Sequence, residues 1–128
     1  MPRLAVSKAS ASKEDQLAYI EAIAQTKLGL QSSSRSLLAR RAYADADETR
    51  TIDIELDLND SEWSRVNAAE TAFYSRNVVF NPPTPDDLET MRRTVKDLDA
   101  FTAQNAKAQD IVAKTTSLIQ QFKTMRSA

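Results

Sequence analysis

The scarcity of glycine is the feature that most restricts the folds open to this chain. Gly29 is the single glycine in 128 residues, and only four prolines occur. Tight turns between β-strands need residues with positive φ, and glycine supplies most of them. A fold rich in strands and turns is therefore disfavoured. The residues that dominate instead are helix formers, so the composition predicts an all-α protein.

The C-terminal third predicts one long helix from Thr84 to Arg126. Thr84 suits the N-cap, Pro85 suits the first helical position, and Asp86 and Asp87 suit the positive end of the helix dipole. No Gly or Pro follows Pro85. Apolar residues then recur at spacings of three and four, which predicts one buried face. At about 1.5 Å per residue such a helix would be roughly 60 Å long, so it needs a partner along its length.

The N-terminal half predicts a second helical rod. Residues 1–12 are rich in Ser and Ala, and we expect a flexible tail there, followed by one helical domain over residues 13–128. Ser12 suits the N-cap of the first helix. The predicted buried side of that helix contains Leu17, Ile20, Ile23, Ala24 and Leu28. Gly29 and the serines after it leave two alternatives, which are two aligned helices or one helix kinked near Gly29.

An acidic segment follows. Between residues 45 and 62, eight acidic residues accompany a single Arg, so this segment carries a charge of −7 and the rest of the chain carries +6. Apolar and polar residues alternate over residues 51–58, and this period of two predicts an extended, half-buried segment. Its acidic edge consists of Asp53, Glu55 and Asp57. Because the chain offers few strands to pair with it, we expect this edge to dock a partner.

A shorter helix is predicted to begin at Asn59. Glu62 completes a variant of the capping box, and Leu58 against Trp63 fits a hydrophobic staple. This helix ends near Asn77, before a proline-rich connector. The predicted fold is therefore an all-α, antiparallel helical bundle with two long helical rods, one shorter helix and a single extended acidic segment.

Composition excludes several kinds of catalytic and metal site. The chain has no Cys and no His, so it has no disulfide, no thiol nucleophile, no imidazole base and none of the usual zinc sites. Four oxygen-bearing residues have the spacing of an EF-hand loop: Asp53, Glu55, Asp57 and Asn59. That loop also needs Gly at its sixth position and an acid at its twelfth, where this chain has Leu58 and Ser64. We predict no metal, no cofactor and no enzymatic activity.

The preferred function is a non-catalytic protein–protein interaction module that self-associates, with a homodimer favoured. The predicted partner-binding residues are Asp53, Glu55, Asp57, Trp63, Arg40 and Arg41. One alternative is a nucleic-acid-associated regulator that uses Arg40 and Arg41, although the near-zero net charge disfavours it. Another is a Mg²⁺-dependent carboxylate enzyme centred on the acidic edge. No apolar run approaches the roughly 20 residues of a membrane span, and no signal-peptide pattern is present, so we expect a cytoplasmic protein.

Overall fold

The computed structural model describes residues 4–126, which form four α-helices and a two-stranded β-ribbon. The helices are α1 (Lys13–Arg40), α2 (Ala46–Ser75), α3 (Pro85–Ala100) and α4 (Ala108–Met125). A short 3-10 turn over Arg41–Tyr43 joins α1 to α2. Helix α1 contacts each of the other three, α3 and α4 also pack on each other, and α2 contacts α4. The predicted all-α bundle is confirmed.

Helix α1 is continuous for 28 residues, so the alternative with two separate helices is wrong. Its predicted N-cap is confirmed, since Ser12 Oγ accepts a hydrogen bond from the Asp15 amide at 3.0 Å. Gly29 lies inside this helix, at the point where α4 approaches α1 closely. A Cβ atom on Gly29 would lie 2.0 Å from Cδ2 of Leu118. The glycine therefore permits close packing and does not end a helix.

The predicted extended acidic segment is wrong, because residues 51–58 lie inside the 30-residue helix α2. This helix begins at Asp45, whose carboxylate accepts from the Glu48 amide at 2.8 Å. The predicted cap at Asn59 and the staple between Leu58 and Trp63 are therefore also wrong. Asn59 is buried inside the bundle, whereas Leu58 is half-exposed.

A buried polar network explains why α2 does not follow the simple apolar pattern. Asn59 Nδ2 donates to Ser33 Oγ at 3.0 Å and to Ser34 Oγ at 3.2 Å, and Ser33 Oγ lies 2.7 Å from Thr115 Oγ1. Polar side chains of α1, α2 and α4 thus bond to one another in the interior, where a lone polar group would be costly, although Asn59 Oδ1 itself has no hydrogen-bond partner among the described residues. The inward face of α2 is consequently partly polar.

The predicted single C-terminal helix is also wrong, since it is divided into α3 and α4 by residues 101–107. Its start is confirmed, because Thr84 and Asp87 form a reciprocal capping box with Pro85 in the first turn. At the break, Thr102 and Asn105 exchange side-chain to backbone hydrogen bonds of 3.1 and 3.3 Å. Helix α4 then folds back onto α3, which lets the chain cover its own apolar face.

The β-ribbon closes one end of the bundle. Strand β1 (Val6–Ser7) pairs antiparallel with β2 (Val79–Phe80), and Phe80 also forms a bridge with Arg126. Phe80 is buried in an aromatic cluster, with its ring centroid 4.7 Å from that of Tyr19. The predicted flexibility of residues 1–12 in solution stays a prediction. Within residues 4–126, no helix combines the length and the apolar character needed to cross a membrane.

Candidate interaction surface

Three leucines are exposed along the outer face of α1. Leu17, Leu28 and Leu38 have exposed fractions of 55%, 49% and 57%. They are spaced by 11 and 10 residues, which is about three helical turns in each interval. They consequently lie within about 80° of one another around the α1 axis, and we refer to them as the leucine stripe. For Leu17 and Leu28 this differs from the sequence prediction, which placed both on the buried side.

The leucine stripe is exposed to solvent because the neighbouring helices pack on the other sides of α1. Towards α2, Lys27 forms an ion pair with Glu70 at 2.8 Å. Towards α3, Glu21 forms an ion pair with Arg92 at 2.6 Å. Helix α4 packs behind, against Gly29. The face between α2 and α3 is left to solvent, and large aliphatic side chains occupy it.

Helix α2 has a smaller exposed apolar feature. Ile54 and Leu58 are 56% and 51% exposed and lie one turn apart, and we call them the α2 apolar pair. Asp57 is exposed beside them and forms no ion pair within residues 4–126. This feature therefore combines aliphatic side chains with uncompensated negative charge.

Arg40 is engaged within the chain. Its guanidinium donates two hydrogen bonds of 2.9 Å to the Glu48 carboxylate and one of 3.1 Å to the Ala103 carbonyl. Glu48 also accepts from the Ala108 amide at 2.8 Å, at the start of α4. Hydrogen bonding between the two side chains raises the pKa of Arg40 and lowers the pKa of Glu48. The pair thus joins the end of α1 to the starts of α2 and α4.

The other predicted partner-binding residues do not lie on one edge. Asp53 is exposed and forms a 3.3 Å ion pair with Arg41. Glu55 is only 7% exposed, and burial raises the pKa of its carboxyl. Because α2 is a helix, Glu55 faces the interior and is separated from Asp53 and Asp57. The acidic edge predicted from period two therefore does not exist as one surface.

Trp63 is half-buried at the junction of α1 and α2. It packs against the hydrophobic core, and the Lys27 ammonium lies 5.3 Å from its ring centroid. It borders a cleft of about 340 Å³ between α1 and α2, which is also lined by Gln31 and Asp60. A role for Trp63 in binding stays a prediction.

Sequence reasoning missed the leucine stripe, although a signal for it was present. Leu17, Leu28 and Leu38 recur at three-turn intervals, a spacing that keeps residues on one helical face. That interval becomes visible only when the pattern is followed through Gly29 as a single helix.

The comparisons with known proteins supply no homologue. No protein-family model, no curated protein and no solved structure matches this chain. Within residues 4–126, no group of three acidic side chains is arranged to hold a metal ion. The functional argument therefore depends on the surface geometry described above.

Proposed function

We propose that the protein is a non-catalytic helical interaction module that associates with a second copy of itself. One observation supports this most directly: the two longest helices expose aliphatic side chains on their outer faces, each about half-exposed. Scattered exposed leucines are common on monomers, but leucines that recur along one side of a helix are typical of a helix-mediated contact. Those of α1 recur about every 15 Å, with the exposed Ala24 and Gln31 between them. On α1 such side chains extend from Leu17 to Leu38.

The charges near these faces support the same proposal. Glu21, Lys27 and Arg35 all form ion pairs with neighbouring helices of the same chain. The leucine stripe is therefore bordered by side chains whose charges are largely balanced. A balanced, apolar strip suits a protein surface better than it suits a phosphate backbone, which needs clustered positive charge. No observation favours the nucleic-acid or the carboxylate-enzyme alternative.

Sedimentation equilibrium tests the proposal. We expect the wild-type protein to shift from monomer towards dimer between about 1 µM and 1 mM, the range in which weak interfaces are populated. High salt should reduce this shift without abolishing it, because salt screens exposed ion pairs but not apolar contacts. A monomer mass throughout the concentration series would refute the proposal.

A further inference from the structure

The leucine stripe is close to symmetric about its central residue. Leu17 lies 11 residues before Leu28, and Leu38 lies 10 residues after it. At about 1.5 Å per residue, the outer leucines are each roughly 15 Å from Leu28 along the helix. An antiparallel pair of α1 helices with a two-fold axis at Leu28 would bring the two copies of Leu28 together. The same axis would place Leu17 against Leu38 of the partner subunit.

Charged residues beside the stripe have the same symmetry. Glu21 and Arg35 lie seven residues before and seven residues after Leu28, which is about two turns in each direction. The antiparallel arrangement therefore brings Glu21 near Arg35 of the partner subunit, twice. A parallel arrangement would instead oppose Glu21 to Glu21 and Arg35 to Arg35, and like charges across an interface are unfavourable.

Both charged residues retain room for a second partner. The Glu21 side chain is 34% exposed while it contacts Arg92, and the Arg35 side chain is 72% exposed while it contacts Asp99. A carboxylate and a guanidinium each have several hydrogen-bonding positions. The contacts with α3 can therefore persist when the ion pairs between subunits form.

The α2 apolar pair is less suited to the same role. Two copies of Ile54 and Leu58 placed together would also bring together two copies of Asp57, which has no ion pair within the described residues. This repulsion opposes a symmetric contact through α2. The leucine stripe has no comparable excess of one charge.

We propose that two copies of the chain associate through α1, antiparallel, about a two-fold axis at Leu28, so that their leucine stripes pack against each other. This inference rests on the proposed self-association and specifies its interface. A symmetric contact of this kind is isologous, since the same patch serves on both subunits. Because one helix from each copy supplies it, we expect the interface to bury less than about 1,200 Å² of total accessible surface, which is typical of a weak dimer.

Site-directed cross-linking tests the register, and the absence of native Cys makes the test free of background. Under mild oxidation, Leu28→Cys should form a disulfide-linked dimer. Leu17→Cys and Leu38→Cys should cross-link to each other when mixed, and each should cross-link poorly alone. Leu58→Cys, on α2, is the exposure-matched control and should remain uncross-linked. Efficient linkage of Leu17→Cys to itself would overturn the antiparallel arrangement.

Charge substitutions test the energetics in solution. Leu28→Asp should weaken the dimer at least about tenfold, since it opposes two carboxylates at the axis. Leu58→Asp makes the same change at a matched exposure on α2 and should leave the dimer unchanged. Glu21→Arg should weaken the dimer, and adding Arg35→Glu should restore it.

The outcomes separate the two proposals. A wild-type protein that is monomeric throughout overturns both the self-association and the interface. A dimer that Leu28→Asp leaves intact, or that links Leu17→Cys to itself, overturns this interface alone. If a charge variant fails to fold by circular dichroism, the cross-linking pattern decides.

Discussion

Gly29→Ala is a sharp test of the packing between α1 and α4. In a solvent-exposed helix this change would stabilise the protein by about 1 kcal/mol, because Ala is the better helix former. Here the new methyl group would lie 2.0 Å from Cδ2 of Leu118, whereas carbon atoms in contact are normally about 3.5–4.0 Å apart. Leu118 is fully buried, so it has little space into which to move. Overpacking of this kind typically costs about 1–3 kcal/mol.

The overpacking cost and the gain in helix propensity together predict a net destabilisation of about 1 kcal/mol. For a domain of this size that corresponds to a fall in Tm of about 4 °C. Urea denaturation followed by circular dichroism would measure it. Ala24→Gly, at an exposed position of the same helix, gives the helix-propensity contribution separately.

A double-mutant cycle with Leu118→Ala identifies the contact responsible. Removing the leucine should cost about 2–5 kcal/mol alone, but Gly29→Ala should become neutral or stabilising in that background. A stabilising effect of Gly29→Ala in the wild-type background would refute the close-packing explanation for this glycine.

Three further substitutions have directions that follow from the structure. Glu55→Gln should raise the Tm at pH 7, because burial raises the folded-state pKa of Glu55 and ionisation of its carboxyl therefore costs stability at high pH. The difference in Tm between variant and wild type should close as the pH falls through that pKa. Glu48→Gln should lower the Tm at pH 7, because the hydrogen bond from Arg40 lowers the folded-state pKa of Glu48. The stabilisation by the Glu48 carboxylate should be present at neutral pH and disappear as the pH falls through that pKa, as thermal denaturation at several pH values would show. Thr84→Ala should cost about 1 kcal/mol by removing the α3 cap, with Thr90→Ala on the same helix as an exposed control, both measured by urea denaturation. A Glu55→Gln variant less stable than wild type at pH 7, or a Glu48→Gln effect independent of pH, would contradict the corresponding assignment.

Local signals in the sequence predicted the fold class and two helix starts. Ser12 and Thr84 cap α1 and α3 as expected, because a cap requires only residues within one turn of each other. The start of α2 carried an equally local signal, with Asp45 followed by Glu48 three residues later. The alternation over residues 51–58 predicts a strand and conflicts with this signal, but the segment is helical.

The errors in the prediction have non-local causes. The polar inward face of α2 is explained only by Ser33 and Thr115, which lie on other helices. The start of α4 has one local signal, since the Asp110 carboxylate accepts from the Lys107 amide at 3.2 Å, but it is also held by Glu48, 60 residues earlier in the chain. Gly29 is typical of a helix end in the sequence, but its role is explained by Leu118 of α4, which occupies the space beside it. In each case the deciding contact joins residues far apart in sequence.

The predicted site residues also divide into those that local sequence placed correctly and those whose position depends on distant contacts. Arg41 and Asp53 lie on the surface as the sequence suggested, but Arg40 is held by Glu48, and Glu55 is inside the bundle. The side chains of α2 that are predicted to be exposed differ between a strand and a helix, because the two structures bury residues at different spacings. The leucine stripe became visible for the same reason, once α1 was one continuous helix.

The most direct test of the central claim is sedimentation equilibrium on three proteins in parallel: wild type, Leu28→Asp and Leu58→Asp. We predict that the wild type and Leu58→Asp form dimers with equal affinity and that Leu28→Asp remains monomeric. A monomeric wild type, or equal affinities for all three, would contradict the claim that this protein self-associates through α1.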